Sequence, residues 1–240
     1  MNNTGICPIC KVPFDYGPTC EHHDLKITQR EQFTDLLNDR GLTGVGVEIG
    51  VCRGQFSTYL LDNWKGKKLY LVDAWRHFDG VKGFENAPPA DHLENFATTF
   101  KETYFYNNRV SIIKDLSVEA ASIFQDSFFD FIYIDAAHDY ENVKADLAAW
   151  YPKLKSGGLF AGHDYFNGDV FIQYRDLATG KVVASTPTEE TTGHSDVKRA
   201  VNEFAESLGQ QVQSTNDSSQ SGDVEIDMNQ DIPSWWWIKP

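Results

Sequence analysis

The segment Val47–Gly54, with the sequence VEIGVCRG, combines an apolar run, an acid and two glycines. The apolar run predicts a strand, and residues Gln55–Asp62 predict the helix that follows it. In parallel α/β sheets, the turn between a strand and the next helix is where nucleotide-like ligands bind. Gly50 and Gly54 allow the backbone to approach a ligand closely. We therefore expect a ligand site at this turn of an α/β fold.

The acid in this turn limits which ligand fits. A dinucleotide site has the pattern Gly-x-Gly-x-x-Gly and a pyrophosphate at the helix N-terminus, and an acid there would repel the phosphates. The sulfonium and ammonium groups of S-adenosylmethionine would instead be attracted to it. A second predicted strand ends at an acid placed to bind ribose hydroxyls. We expect S-adenosylmethionine rather than NAD, with the cofactor held by Glu48, Gly50, Cys52, Gly54 and Asp73.

Two later segments, Phe129–Tyr140 and Lys153–Tyr165, carry more specific motifs. With the glycine turn, they resemble the class I S-adenosylmethionine-dependent methyltransferases, and in particular the subgroup that includes small-molecule and sugar O-methyltransferases. The resemblance implies an α/β, doubly wound Rossmann-like fold, whose seven-stranded sheet is mostly parallel with an antiparallel last strand. It also implies that Asp115 and Ser117 hold the adenine. Ser117 can alternatively be read as a helix N-cap.

An acid follows each of two neighbouring predicted strands, Asp135 after the fourth and Asp164 after the fifth. They could hold a divalent cation, magnesium or manganese, that lowers the pKa of an acceptor hydroxyl. Alternatively, His138 or His163 could be the general base. Metal-binding members of the subgroup that the chain resembles have an acid where this chain has His163, so a nitrogen ligand would favour manganese or zinc over magnesium. His138 could also make a cap-like contact at the following helix.

Cysteines cluster near the N-terminus, and the fourth cysteine, Cys52, lies in the glycine turn, where we expect no nucleophilic role. The spacing of the first three, with a histidine after them, suits a structural zinc knuckle in residues 1–24. The alternative is a flexible, reduced arm. The candidate ligands are Cys7, Cys10, Cys20 and His23.

Residues 25–240 are expected to form one methyltransferase domain with two additions. Residues 166–193 contain a predicted β-hairpin, Val170–Arg175 with Lys181–Ser185, that would overhang the acceptor pocket or form a subunit contact. Residues 215–231 are polar and are expected to be a mobile loop. The run Ser234–Lys239 predicts an aromatic last strand, with its tryptophans in packing or at a dimer surface.

Composition narrows the class of partner. The 240 residues carry a formal net charge of −14, which disfavours binding to nucleic acid. We find neither a membrane-spanning run nor a secretion signal, and expect a cytoplasmic protein. The predicted function is methyl transfer from S-adenosylmethionine to a hydroxyl of a small molecule, with sugar-like molecules as candidates. The alternative is a non-catalytic protein that senses a nucleoside and docks a partner through the Cys-rich arm. A homo-oligomer is compatible with either.

Overall fold

The computed structural model describes residues 27–78, 88–175, 182–185, 193–215, 224–227 and 232–240, and two short strands before residue 27. The strands, in chain order, are β1 (Thr4–Ile6), β2 (Pro13–Asp15), β3 (Val45–Ile49), β4 (Lys68–Asp73), β5 (Val110–Lys114), β6 (Phe129–Ile134), β7 (Leu154–Gly162), β8 (Gly168–Arg175), β9 (Val182–Ser185), β10 (Gly193–Ser195), β11 (Gln213–Ser214), β12 (Val224–Asp227) and β13 (Trp235–Ile238). The helices are α1 (Phe33–Asp39), α2 (Gln55–Asn63), α3 (Pro89–Thr103), α4 (Ser117–Ala121), α5 (Tyr140–Trp150) and α6 (Val197–Ser207). Within the described residues, 3-10 segments occur at Arg30–Gln32, Tyr104–Arg109 and Tyr151–Lys153.

Seven of the described strands form one sheet, in the order β11-β13-β7-β6-β3-β4-β5. The strands from β7 to β5 are parallel to one another, and β13 is antiparallel to β7. The predicted fold, a doubly wound and mostly parallel sheet with an antiparallel last strand, is confirmed. The order of strands reverses between β3 and β6. In open α/β sheets, ligands bind in the crevice at the carboxyl ends of the strands at such a reversal.

Helices cover both faces of this sheet. On one face α4, α5 and α6 pack around Trp150 and Val201. On the other, α1 and α2 pack around Phe33 and Leu60. Strand β6 is buried along its whole length, as expected for a central parallel strand between two helical layers. In the ranges described, each helix falls short of the length or the apolar character needed to cross a bilayer.

The tryptophans of β13 are shared between the two cores. Trp235 and Trp237 belong to the core under α5 and α6, and Trp236 belongs to the core under α1. This division follows from the alternation of side chains along a strand. All three are buried, with Trp236 the most exposed at 8%. The sequence left two interpretations of this run, packing or a dimer surface. The burial of all three tryptophans confirms that they pack in the interior.

The insertion after β7 contributes most of a second, smaller sheet. Strands β8 and β9 form the predicted antiparallel hairpin, and β8 also pairs with β10 and β12. The last of these, Val224–Asp227, lies in the range 215–231, for which the sequence predicts a loop. That prediction is wrong for these four residues, because two alternating apolar residues, Val224 and Ile226, are too few to stand out in a polar stretch.

At the N-terminus, β1 and β2 pair in an antiparallel arrangement. The proposed zinc ligands Cys7, Cys10, Cys20 and His23 lie outside the described residues. The zinc knuckle therefore stays a prediction from the sequence.

Gly50 lies where the backbone that follows β3 contacts the backbone that follows β6. Its φ angle is +85°, and a Cβ atom at this position would overlap the backbone carbonyl oxygen of Asp135. The N–H of Asp135 donates to the carbonyl of Ile49 at 2.7 Å, and the N–H of Gly50 donates to the carbonyl of Val72 at 2.8 Å. The close approach for which this position needs glycine therefore includes contact between two segments of the protein's own backbone.

We expect Gly50→Ala to destabilise the protein by at least about 3 kcal/mol, because strain at positive φ is added to an overlap with backbone that cannot move aside. Gly157 has a similar φ of +80°, with nothing within 4 Å of its Cβ position. Gly157→Ala is therefore the matched control, with an expected cost of about 1 kcal/mol. Urea unfolding of both variants measures the difference, and equal losses would show that the contact with Asp135 is unimportant.

Candidate active site

Asp73, at the end of β4, holds the glycine turn in place. Its Oδ2 accepts hydrogen bonds from the N–H groups of Val51 and Cys52, both at 2.9 Å. Its Oδ1 accepts one from the N–H of Trp75 at 2.7 Å. The carboxylate predicted to bind ribose hydroxyls thus also shapes the turn that would surround the ligand.

Two residues that the sequence analysis missed, Trp75 and Thr99, form hydrogen bonds with the backbone of the same turn. The indole N–H of Trp75 donates to the carbonyl of Cys52 at 2.8 Å, and the hydroxyl of Thr99 donates to the same carbonyl at 3.0 Å. Trp75 is 2% exposed and has a φ angle of +39°. Trp75 begins residues 75–89, whose Gly and Pro content predicts a loop that could cover the ligand, yet it is part of the core. Residues 79–87 lie outside the described residues.

Cys52 itself has a φ angle of +52° and is a free cysteine, exposed as a residue although its sulfur is partly enclosed. Partial burial of its sulfur and the nearby charge of Asp73 raise the pKa of the thiol. A raised pKa keeps a thiol in its protonated, weakly nucleophilic form. This agrees with the expectation that Cys52 is a small residue of the turn rather than a nucleophile.

Glu48 lies beneath α2, 2% exposed, where the hydroxyl of Ser57 donates to its Oε2. Burial raises the pKa of Glu48 to about 8, with the charges of Asp135 and Asp73 acting in the same direction. The hydrogen bond from Ser57 and the charge of Arg30 oppose this shift without cancelling it. The expected attraction between an ionised Glu48 and the sulfonium is therefore wrong, because burial keeps this acid neutral at pH 7.

Asp115 and Ser117 follow β5 but face different surroundings. Asp115 is exposed beside Asp73, and its N–H donates to the carbonyl of Asp73 at 3.1 Å. The hydroxyl of Ser117 accepts from the indole N–H of Trp150 at 2.9 Å, on the interior side. The N-cap of α4 is Leu116, so the alternative in which Ser117 caps this helix is wrong. Asp115 is thus the better placed of the two toward a ligand on the turn.

Four side chains predicted for the acceptor site converge beyond the ends of β6 and β7; we call them the acceptor cluster. Nε2 of His138 lies 3.0 Å from Oδ2 of Asp164. Nδ1 of His163 lies 3.2 Å from that oxygen and 3.7 Å from Oδ1 of Asp135. The acceptor cluster therefore consists of Asp135, His138, His163 and Asp164.

Asp164 is the centre of this cluster. It is 6% exposed and has a φ angle of +54°, a conformation that aspartate tolerates better than most residues but that still stores strain. Burial acts to raise the pKa of Asp164, but the two imidazoles, His138 and His163, outweigh burial and hold that pKa well below its usual range. The carboxylate is therefore ionised, and its backbone strain is of the kind that gathers at functional sites.

Asp135 interacts electrostatically both with the other members of the acceptor cluster and with an arginine that the sequence analysis missed. Burial raises the pKa of Asp135, and the charge of Asp164 adds to this, while His163, His138 and Arg30 oppose it. Nη1 of Arg30 lies 3.7 Å from Oδ2 of Asp135. Arg30 comes before the first strand of the main sheet, in a short 3-10 segment with no motif, so sequence spacing gave no signal for its position.

Three members of the acceptor cluster have a geometry that suits a metal ion. One ligand atom from each of Asp135, His138 and Asp164 can be chosen so that all three lie within 4.8 Å of one another. The two acids are those predicted, whereas the nitrogen donor is His138 rather than His163. Two carboxylates with one imidazole suit manganese or zinc better than magnesium, which prefers oxygen ligands. The donor set therefore fits a divalent transition metal.

We expect stability to depend on pH through Glu48. The unfolded chain releases this proton above about pH 4.5, whereas the folded protein keeps it up to about pH 8. The stability contributed by the neutral acid is fully present below pH 4.5 and is lost as the pH rises through 8. Glu48→Gln cannot titrate, so its free energy of unfolding relative to wild type should rise by about 2 kcal/mol or more between pH 5 and 9.

Urea unfolding at several pH values measures this trend. Glu102→Gln, on α3 with its side chain 51% exposed, controls for the loss of one negative charge. A constant difference between wild type and Glu48→Gln across the range would contradict the buried, protonated state.

Comparison with known sequences places these residues in a family. Residues 47–165 match the family model Methyltransf_24, described as a methyltransferase domain. The matched range runs from β3 to just past Asp164, and it contains the glycine turn and the whole acceptor cluster. The chain is also 24% identical over 128 residues to the uncharacterized protein y4gI of Sinorhizobium fredii, and the alignment covers 53% of this chain and 13% of that protein. The match thus spans only a small part of that relative's length.

Solved structures share the fold at low sequence identity. A candidate caffeoyl-CoA O-methyltransferase from Staphylococcus aureus aligns with a TM-score of 0.52 and 17% identity, over 92% of this chain and 88% of that one. An O-methyltransferase from Bacillus cereus, solved in complex with SAH, aligns with a TM-score of 0.52 and 16% identity, over 91% and 83% of the two chains. These likenesses show the shared fold, and the match of residues 47–165 to a methyltransferase domain supports a class I S-adenosylmethionine-dependent methyltransferase.

Proposed function

We propose that the protein transfers the methyl group of S-adenosylmethionine to a hydroxyl group of a small molecule, with polyhydroxylated, sugar-like acceptors as the first candidates. One observation carries the proposal: the glycine turn and the acceptor cluster are in direct backbone contact, at Gly50 and Asp135. Methyl transfer is an in-line displacement, so donor and acceptor must be held in fixed relative positions. A rigid contact between the two halves of the site supplies such a constraint.

The donor half consists of the turn and the acids beside it. A carboxylate has about four lone-pair directions, and Asp73 uses three of them on backbone N–H groups. The remaining capacity can accept a ribose hydroxyl. Asp115, next to Asp73 on the edge of the sheet, is available to the adenine side. Cys52 and Gly54 line the turn, and Glu48 supports it from below through Ser57.

The acceptor half has to remove the proton of the acceptor hydroxyl. As the bond between the methyl carbon and the acceptor oxygen forms, the bond between that carbon and the sulfur breaks, and the hydroxyl proton must leave. In the acceptor cluster, His138 and His163 are both within ion-pair distance of Asp164. A carboxylate placed in this way orients an imidazole and stabilises it once it has taken a proton. Either histidine can therefore act as the general base.

The alternative means of activating the acceptor hydroxyl is a divalent cation bound by side chains of the acceptor cluster. We propose that Asp135, His138 and Asp164 hold manganese or zinc, which would act as a Lewis acid on the acceptor hydroxyl. The contact of His163 with Asp164 then becomes an outer contact that orients a ligand. The strong negative charge of the chain favours a small acceptor over nucleic acid. A cytoplasmic location stays a prediction.

Titration calorimetry with S-adenosylmethionine tests the donor half. We expect micromolar binding to wild type and at least a tenfold loss in Asp73→Ala, because both the ribose acceptor and the support of the turn are removed. Asp126→Ala removes an acid at the opposite edge of the sheet, where Asp126 pairs with Lys153 at 2.7 Å, and should leave affinity unchanged. Absence of binding to the wild type would refute the proposed activity.

Titration with Mn²⁺ tests the metal. We expect wild type to bind one ion, with losses of tenfold or more in His138→Ala and Asp164→Asn. Asparagine is chosen because it tolerates the positive φ angle of Asp164. His163→Ala should lose less affinity than His138→Ala, because His163 is outside the three-ligand set. If Mn²⁺ and Zn²⁺ both fail to bind wild type, the metal proposal fails, and the histidine base remains.

A further inference from the structure

Arg30 lies at the junction of the two halves of the site. Its guanidinium is 3.7 Å from the carboxylate of Asp135 and lies over the ring of Phe56, 5.1 Å from the ring centre. Phe56 is in the first turn of α2, two residues after Gly54. The side chain of Arg30 is 25% exposed, so it is packed in place but still accessible. The guanidinium therefore borders both the glycine turn and the acceptor cluster.

Acidic side chains lie in both halves of the site, Asp73 in the donor half and Asp135 and Asp164 in the acceptor half. Glu48, which is buried and neutral, adds no charge to them. S-adenosylmethionine carries a sulfonium, an ammonium and a carboxylate at its amino-acid end. The two cationic groups suit this acidic surface, whereas the carboxylate would be repelled by it. A ligand with this charge pattern needs a fixed cation where its carboxylate comes to rest.

Of the described arginines near the turn, Arg53 is less suited to that role, because its side chain is 47% exposed and lies 2.8 Å from Glu94 on α3. Arg30 also has acidic neighbours, Glu31 at 3.9 Å and Asp135 at 3.7 Å, but its side chain is only 25% exposed and lies between the two halves of the site. Arg30 instead borders the first turn of α2, where unpaired backbone N–H groups add partial positive charge. The planar guanidinium of an arginine can also donate two parallel hydrogen bonds to a carboxylate, whereas the ammonium of a lysine acts only as a point charge.

Resting on the proposed function, we propose that Arg30 binds the carboxylate at the amino-acid end of S-adenosylmethionine. The guanidinium then bridges the ligand and Asp135, whose present distance of 3.7 Å is longer than a hydrogen bond. Arg30 is thus a residue that selects the intact amino-acid end of the donor. It also couples the donor to a member of the acceptor cluster.

The test compares two ligands that differ only in this carboxylate, S-adenosylmethionine and its decarboxylated form, by titration calorimetry. Wild type should bind S-adenosylmethionine at least tenfold more tightly, which corresponds to about 1.4 kcal/mol. Arg30→Met should lose that preference, because its affinity for S-adenosylmethionine falls while that for the decarboxylated ligand stays equal or rises. Lys153→Met makes the same change of charge at the opposite edge of the sheet and should keep the preference.

The outcomes separate this inference from the proposed function. If wild type binds neither ligand, the methyl-donor assignment fails. If wild type binds both ligands and Arg30→Met weakens both equally, or weakens neither, the carboxylate contact is overturned while the donor assignment stands. Thermal melting checks that each variant is folded. If Arg30→Met does not fold, Arg30→Lys replaces it, and a preference that does not shrink in that variant also overturns the inference.

Discussion

The contact between Gly50 and the backbone of Asp135 is the constraint on which the rest of the site depends. The donor turn follows strand β3, and the acceptor cluster follows strands β6 and β7. Because position 50 has no side chain, the backbone after β3 can touch the backbone after β6. Hydrogen bonds from Asp135 to Ile49 and from Gly50 to Val72 fix the same junction. Two binding surfaces that could otherwise move independently thus become one rigid edge, as accurate positioning requires.

Charge at this edge is decided by the partners of each acid rather than by its depth. The buried acid Glu48 is neutral and serves the turn through Ser57. Asp164 is also buried, at 6% exposed, yet it stays ionised between two imidazoles, and Asp73 is held by three N–H groups. Burial alone would make every acid here costly to ionise. The partners around each carboxylate therefore decide which of them carry charge to a ligand.

Sequence patterns predicted the features that arise from local regularity. The apolar run of β6 and the acids Asp73, Asp135 and Asp164 at strand ends could be assigned, because parallel strands bring their carboxyl ends to one edge. Arg30 and Trp75 could not be found, since their roles depend on contacts between distant segments that leave no periodic trace. The neutral state of Glu48 was missed for a similar reason: burial under α2 is a property of packing, and the order of residues does not display it.

The position of β13 in the sheet affects the order in which parts of the protein fold. This strand lies between β7 and β11 and contributes two tryptophans to one core and one to the other. The carbonyl of Pro233, just before it, accepts a hydrogen bond from Tyr165, directly after Asp164. During synthesis, β7 therefore lacks its outer neighbour until a strand more than seventy residues later has left the ribosome. Such distant pairings close slowly, so the acceptor side of the molecule should be the last to take shape.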